Sequence, residues 1–540
     1  MLLELVKQNI PMNRWKNQIS TQVTLDDDFI VPDTLDDIEQ VLLTSGEIQL
    51  EPVKTQKEKA VIRGKLDFHI LYQKEEGGLQ TLGGVIPFEE NVNVPGLEEQ
   101  DEVSVSWQME DLSASVINSR KLSIKALAVL QIKVESLFDT EAAIGLAQEA
   151  GAGDQAENSG PVSADNSVPL IETRQSRMDA ASVALRRKDT CRLKEELTLS
   201  GSKPAIDQIL WTEMRLSGAT ARPMDGKIHL EGSLLVFVIY EGENGPSMVQ
   251  WMEESIPFST DVEAAGASEE MIPAVSIRLI HRAIEAKPDY DGEMRDLDVD
   301  AVIELDIRLY EEKPVELLSD LYATNREVNL MTGEACFDRI LTHNTGKCRV
   351  AGSISMDTGH RILQICHSTG SVKIDDAAPV PEQDSLSIDG VLEVQLLYLT
   401  DDDAAPVQSV TEMLPFHYDA QAQGITKDSI WYLETGLEQL TAAMTGGDSA
   451  EVKAVVTLEL LVLQPVCQTV IRQAEVTPLD TKKVQKMPGI AGYLVQPGDE
   501  LWDIAKRFHT TQDNILMTNH LGSEQLHTGD VLILVKEITR

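Results

Sequence analysis

Positive charge and aromatic side chains are what this 540-residue chain has least of. Lys and Arg number 46 against 89 Asp and Glu, a formal charge of −43, and Phe, Trp and Tyr together make up 4%. A surface that acidic repels phosphate backbones, and polyanion binding needs clustered Lys and Arg. The balance argues against a nucleic-acid role and against adsorption to anionic lipid. Long apolar runs are missing as well. A bilayer span needs about 20 such residues, and the longest candidates are Leu234 to Tyr240 and the charge-interrupted stretch from Val452 to Leu463. The opening residues MLLELVKQNIPMNRW carry Glu4 and Lys7 where a signal peptide would be apolar, with no small-residue cleavage pattern after them. A soluble, non-exported protein is expected.

Cysteine is sparse and odd in number: Cys191, Cys336, Cys348, Cys366 and Cys467. Such scatter suits free thiols in a reducing cytosol better than a disulfide framework. Cys336, His343, Cys348, His360, Cys366 and His367 fall close together. Their spacing fits no closed zinc site, and alternating strand positions would part the side chains, so small buried residues are the preferred reading. Catalytic signatures are absent too, with no HExxH, GxSxG or GxGxxG. Thr345-Gly346-Lys347-Cys348 resembles the end of a phosphate loop, but Leu341 stands where the upstream glycine belongs. Asp401-Asp402-Asp403 has the oxygens for a divalent cation, yet reads better as a solvated hairpin tip. Trp107 and Trp431 read as core packing. No enzyme, cofactor or metal is expected.

What the chain does have is enough apolar content, 42%, to build real cores, and an internal repeat. Three segments run from a glycine to a tyrosine: Gly64 to Tyr72, Gly232 to Tyr240, and Gly390 to Tyr398. Between them sit Leu66, Phe68, Ile70; Leu234, Val236, Val238; and Leu392, Val394, Leu396, the period-two spacing of a strand with one buried face. In the middle copy Leu235, Phe237 and Ile239 are apolar as well, so that strand is expected to be covered on both faces. Each copy continues to a Pro-Phe pair (Pro87-Phe88, Pro257-Phe258, Pro415-Phe416), which marks a strand edge or start because proline cannot donate to a ladder.

A long alternating segment then follows in each copy: Ile124 to Val134, Val299 to Leu309, and Val452 to Val462, with charged residues at many intervening positions. Ile38-Glu39-Gln40-Val41, Ile206-Asp207-Gln208-Ile209 and Ile362-Leu363-Gln364-Ile365 precede the three glycines. The expected fold is mainly β: three related antiparallel β domains in tandem, sandwiches or partly closed barrels, and a small C-terminal βααβ module. The domains are expected over 1–138, 186–343 and 344–480. A flexible linker rich in Ala, Gly, Ser, Asn and Asp is expected over 139–185, a short Lys-rich one over 481–490, and the last module over 491–540.

In that module Tyr493-Leu494-Val495-Gln496 reads as a strand and Asp499 as a helix N-cap. Leu501, Ile504, Ala505 and Phe508 give one apolar helical face. Thr510 or Thr511 caps a second helix, which ends at Asn519, a residue tolerant of the left-handed conformation; the run from Val531 to Val535 is the second strand. The string YLVQPGDELWDIA, then ILMTN and LHTGDVLIL, resembles a LysM domain. The resemblance implies a shallow groove for N-acetylglucosamine-containing glycans, walled by Gly498, Asp499, Glu500 and Leu501 on one side and by Asn519, His520 and Leu521 on the other. Leu494, Glu500 and Thr528 depart from the family pattern, and Glu500 puts a charge where a neutral hydroxyl normally faces the ligand.

The N-terminal run, with Ile30-Val31-Pro32-Asp33 leading to Ile38-Glu39-Gln40-Val41, is similar to the opening of SPOCS-domain proteins of spore-forming Firmicutes. Lys203-Pro204-Ala205-Ile206 echoes it, and Arg361-Ile362-Leu363-Gln364 is the most divergent copy. That resemblance implies a mother-cell cytosolic adaptor at the forespore surface. It would bind the coat basement-layer ATPase, stage IV sporulation protein A, with the LysM module as a protein-binding surface. Peptidoglycan binding through the LysM groove is the alternative.

Overall fold

A computed structural model describes residues 1–147, 169–243, 249–356, 359–402, 406–479 and 488–535. The first copy contributes β1 (Leu5–Ile30), β2 (Ile38–Leu50), β3 (Lys54–Gln56), β4 (Lys59–Lys74), β5 (Leu79–Asn93), β6 (Glu102–Asn118) and β7 (Lys121–Leu146). The second contributes β8 (Ile171–Thr198), β9 (Ile206–Met224), β10 (Lys227–Gly242), β11 (Val249–Glu263), β12 (Ile272–Pro288) and β13 (Met294–Ala323). The third contributes β14 (Arg326–Ser355), β15 (Ile362–Val380), β16 (Ser385–Thr400), β17 (Val407–Gln421), β18 (Ile430–Met444) and β19 (Ser449–Pro478). Each copy is an antiparallel sandwich of two three-stranded layers, the second widened in the first copy by the short β3 paired to β4. In the first, β1-β7-β6 faces β2-β4-β5, and β8-β13-β12 with β9-β10-β11, then β14-β19-β18 with β15-β16-β17, repeat the order.

The alternation dictates the layers. All six apolar positions of each long segment, from Ile124 to Val134, Val299 to Leu309 and Val452 to Val462, are buried in their own sandwich. The glycine and the Pro-Phe pair turn out to be one device. Gly64, Gly232 and Gly390 lie directly opposite Phe88, Phe258 and Phe416 on the edge strands β5, β11 and β17. An added Cβ would stand 2.8–2.9 Å from the tip of each ring. The phenylalanine covers the bare strand and fills the place of the missing side chain. The tyrosine closes the same strand: Tyr72 and Tyr240 donate from their hydroxyls to the carbonyls of Asp36 and Pro204, tying it to the segment before β2 and β9.

The first and last strands of each copy run beyond their sandwich as two-stranded ribbons. Residues 5–15 pair with 135–146, 171–183 with 310–323, and 326–340 with 463–478. The three ribbons pack together into a stalk. Ile10, Met12 and Ala142 meet Met178, Ala180, Val315 and Leu317 from the second ribbon and Ala335, Phe337 and Val470 from the third. A bridge between Asp338 and Ala181 joins β14 to β8, and Met1 exchanges backbone hydrogen bonds with Val476. Where stalk meets sandwiches, the buried Glu135 of the first copy accepts from Arg308 at 2.6 Å and Arg186 at 3.1 Å of the second. At the head, Leu43 and Leu71, then Trp211, Phe237 and Ile239, then Cys366 and Leu397 form one cluster drawn from all three copies. Phe237 and Ile239 are thus the covered second face expected of the middle strand.

Several expectations need correction. The linker expected over 139–185 is strand at both ends, in β7 and β8, because those residues are ribbon; its central part, 148–168, lies outside the described residues, as do 481–487 of the second linker and Asp403. The boundary expected after 343 falls inside β14, whose whole length pairs with β19. The cysteines are not all free. Cys336 and Cys467 sit opposite each other in the third ribbon and form a disulfide, leaving Cys191, Cys348 and Cys366 as thiols. Register, not sequence spacing, brings the pair together across 131 residues, and the thiol argument for a reducing compartment goes with it. Among the described residues no cluster of metal-ligating side chains is present, and no helix is long and apolar enough to cross a membrane.

Two outcomes follow from this geometry. A Cβ at Gly390 would meet the Lys373 carbonyl at 2.4 Å, whereas at Gly489 it would meet nothing within 4 Å. Gly390→Ala should therefore cost about 1–3 kcal/mol and lower the melting temperature, with Gly489→Ala as the silent control; equal effects would refute the reading. Thiol titration of the denatured, unreduced chain should count three groups, and Cys336→Ser should raise the count to four by freeing Cys467.

Candidate functional site

The C-terminal module comprises β20 (Ile490–Leu494), α1 (Leu501–Phe508), α2 (Gln512–Asn519) and β21 (Val531–Val535), with β20 and β21 antiparallel. Its core is Leu501, Trp502, Ile504, Ala505, Ile515, Leu532 and Leu534 between the helices and one face of the sheet. Two caps differ from expectation. Asp499 does not cap α1; the N-cap is Glu500, without a side-chain hydrogen bond. The Asp499 carboxylate instead accepts from the Gln496 backbone at 2.8 Å and the Tyr493 hydroxyl at 2.7 Å, which hold its pKa below the ordinary carboxylate value. At the end of α2 the left-handed residue is His520 (φ 52°), not Asn519. Thr511, of the two threonines, caps α2 by accepting from the Asn514 backbone.

The seven expected groove residues are therefore unequal. Asn519 donates to the Ile533 carbonyl at 2.8 Å and accepts from its amide at 2.6 Å, sewing α2 to β21. Leu501 is core, and the half-buried Leu521 donates its amide back to Leu516. Glu500 is paired at 2.8 Å with Arg174 of the stalk. Gly498 (φ 88°) and His520 remain exposed.

The module is docked onto the stalk, a contact no sequence pattern announced. Trp502 Nε1 donates to Asp320 Oδ2 at 2.8 Å, and Lys506 Nζ reaches Asp320 Oδ1 at 2.7 Å. The Tyr322 ring meets Trp502 edge-on at 4.9 Å, and its hydroxyl donates to the Thr510 carbonyl at 2.9 Å. Because α1 faces the stalk, the other face of the sheet points outward. Ile490 (68%), Leu494 (53%), Val531 (70%) and Ile533 (49%) lie there exposed, with Leu494 opposite Val531, Ile533 opposite Gly492 and Ile490 at the far end of its strand. Single exposed apolar residues are ordinary, but four on one small sheet face form a patch of the kind that marks interaction sites.

One polar constellation carries no sequence motif. On β10 and β11, His229 Nδ1 lies 2.8 Å from Asp261 and its Nε2 3.5 Å from the Ser259 hydroxyl, the order of a nucleophile–base–acid trio. Lys227 shares Asp261 at 2.6 Å, and all these side chains lie on an open face. The register His229↔Asp261 corresponds to Val61↔Asn91 in the first copy and Ser387↔Asp419 in the third, so the trio is not repeated; the places of Glu231 and Ser259 hold an Arg63–Glu89 pair in the first copy and Asp389 with His417 in the third. The trio belongs to a set of cross-strand polar pairs on this open face, and its Ser–His contact is long at 3.5 Å.

Against family models, the one described as SipL, SPOCS domain, matches residues 37–117, 205–287 and 361–445, and the LysM domain model matches 493–535. The chain carries three SPOCS domains and one LysM domain. This is the composition by which it resembles the spore coat morphogenetic protein SipL. No curated protein and no solved structure matched it. The SPOCS matches open at β2, β9 and β15 and close at the ends of β6, β12 and β18, so the long strands of the stalk lie outside them. Both families are non-catalytic binding domains, and together they fit a sporulation-related adaptor or glycan-binding role.

Removing the Asp320 carboxylate tests the docking. Hydrogen bonds to a charged group contribute about 1.5–3 kcal/mol, so Asp320→Ala should shift the docking equilibrium roughly tenfold or more. Small-angle scattering should then show a longer particle, while the module itself stays folded. An unchanged particle would mean that the module is held elsewhere.

Proposed function

We propose that the chain is a non-enzymatic structural adaptor in endospore coat assembly. It acts in the mother-cell cytosol at the forespore surface and binds the coat basement-layer ATPase, stage IV sporulation protein A, through its LysM module and repeats. The observation that carries this reading is the division of labour within the module. Most groove-wall side chains are spent on the module's own turn, core and docking, while the opposite sheet face presents an apolar patch. Such a face suits a protein partner better than a sugar, whose hydroxyls need polar partners aimed into a groove.

Pull-down of the ATPase by the full chain tests the proposal. Ile533→Asp and Val531→Asp change exposed side chains and should leave folding intact, and each should reduce retention at least tenfold. No retention by the unaltered chain, or full retention by both variants, would defeat it. The exposed Gly498 and His520 keep the glycan reading open. Sedimentation with purified sacculi that is sensitive to Gly498→Val and indifferent to Ile533→Asp would favour that reading.

A further inference from the structure

Where the second and third sandwiches meet, an imidazole is buried between two carboxylates. His367, on β15, is 5% exposed and stacks on the Phe237 ring of β10 at 4.0 Å. Its Nδ1 lies 3.2 Å from Glu253 of β11 and its Nε2 3.5 Å from Glu213 of β9, both in the neighbouring copy. Thr369 donates to Glu213 at 2.7 Å and accepts from Arg215, so Glu213 has a second cation nearby. Arg282 of β12 adds positive charge towards Arg215 and is itself paired with Glu47 of the first copy. Lys203 lies across the Trp251 ring at 4.9 Å on the Glu253 side of the seam. On β16 the residue opposite His367 is the apolar Leu397, and the adjacent Cys366 thiol is pushed up to about 12 by burial.

The site is particular to one seam. The registers Leu43↔Leu71, Trp211↔Ile239 and His367↔Leu397 place Leu43, Trp211 and His367 at equivalent points of the three copies. Two copies thus fill the place with an apolar side chain. The third fills it with a titratable one whose counter-charges come from across the boundary.

We propose that the seam between the second and third SPOCS domains is a proton-operated lock. With the imidazolium in place, one cation bridges Glu213 and Glu253 and holds the two sheets together. When the proton leaves, the bridge becomes a neutral ring between two carboxylates. Glu213 still has Arg215, but Glu253 loses the cation that drew it to the seam, and the joint loosens.

The direction of the effect follows from linkage. Burial pulls the His367 pKa down, and the hydrogen bonds and charges of Glu213 and Glu253 outweigh it, so the group sits above its ordinary 6.5. A raised pKa contributes stability that is complete below the unfolded value and is lost as pH rises through the folded one. Burial pushes Glu213 up, but His367, Arg215 and Thr369 hold it below its ordinary value. Its contribution fails only at the acid end.

The test is amide exchange of the full chain, corrected for intrinsic pH dependence, from about pH 6 to about pH 9. Protection in β9 and β15 should fall through this window, roughly tenfold for each unit by which the His367 pKa exceeds 6.5. The central residues of β7 serve as the unchanging reference. His367→Leu, which copies the first domain, should abolish the dependence. Glu253→Gln, a change at a partly exposed partner, should move the midpoint to lower pH. A flat profile in the unaltered chain, the same slope in His367→Leu, or an unmoved midpoint in Glu253→Gln would each overturn the lock.

Discussion

Two-stranded ribbons are marginal in water because each strand pair has faces with nothing to bury against. This chain makes three of them, each projecting from a sandwich, and resolves the difficulty by packing all three on one another. Most other features depend on that packing. It requires the three copies to gather round a common axis instead of stringing out, which brings their outer sheets together at the head. It places Glu135 where Arg186 and Arg308 can surround it. It also creates the surface on β8 and β13 that receives the LysM module through Arg174, Asp320 and Tyr322. The long strands are thus architecture and the sandwiches are their anchors.

Within that frame the copies agree in their cores and differ at their seams. The Gly–Phe pairing and the buried rows of β7, β13 and β19 are the same in each copy, because a sandwich interior admits few solutions. Side chains facing a neighbouring copy have no such constraint, since each seam joins non-identical partners. The sequence Leu43, Trp211, His367 at one equivalent place shows the divergence. So does the disulfide, whose two positions are taken by cysteine in the third ribbon alone.

This division explains what was legible from sequence. Period-two alternation, the Gly-to-Tyr spacing and the LysM string report on local structure and on burial within one copy, and these were readable. The second-face residues Phe237 and Ile239 gave the one visible hint of contact between copies. The stalk was hidden because its strands continue the sandwich strands without a break in pattern, and β7 and β8 run into a segment whose composition suggested a linker. The Cys336–Cys467 pair, the docking of Trp502 on Asp320 and the His367 cluster depend on register and on which ribbon meets which. A single chain read in order carries no trace of either. In the module, the family pattern located the turn and helices, but not that Glu500 and Asn519 would be occupied by Arg174 and Ile533.

The stalk also separates two chemistries. From the head to the module-binding residues, the second ribbon covers 310–323, a rise of roughly 40 Å at strand spacing. At one end stand three sandwiches whose open faces carry rows of opposed charges, such as Arg63–Glu89, Arg192–Asp300 and Lys227–Asp261. Exposed pairs of this kind contribute little to stability, but they satisfy part of a surface that otherwise carries a formal charge of −43. At the other end the LysM sheet offers Ile490, Leu494, Val531 and Ile533, without a charged residue among the ten that form β20 and β21. Like charge over much of the described surface discourages contact there, and this small uncharged sheet face carries no such barrier.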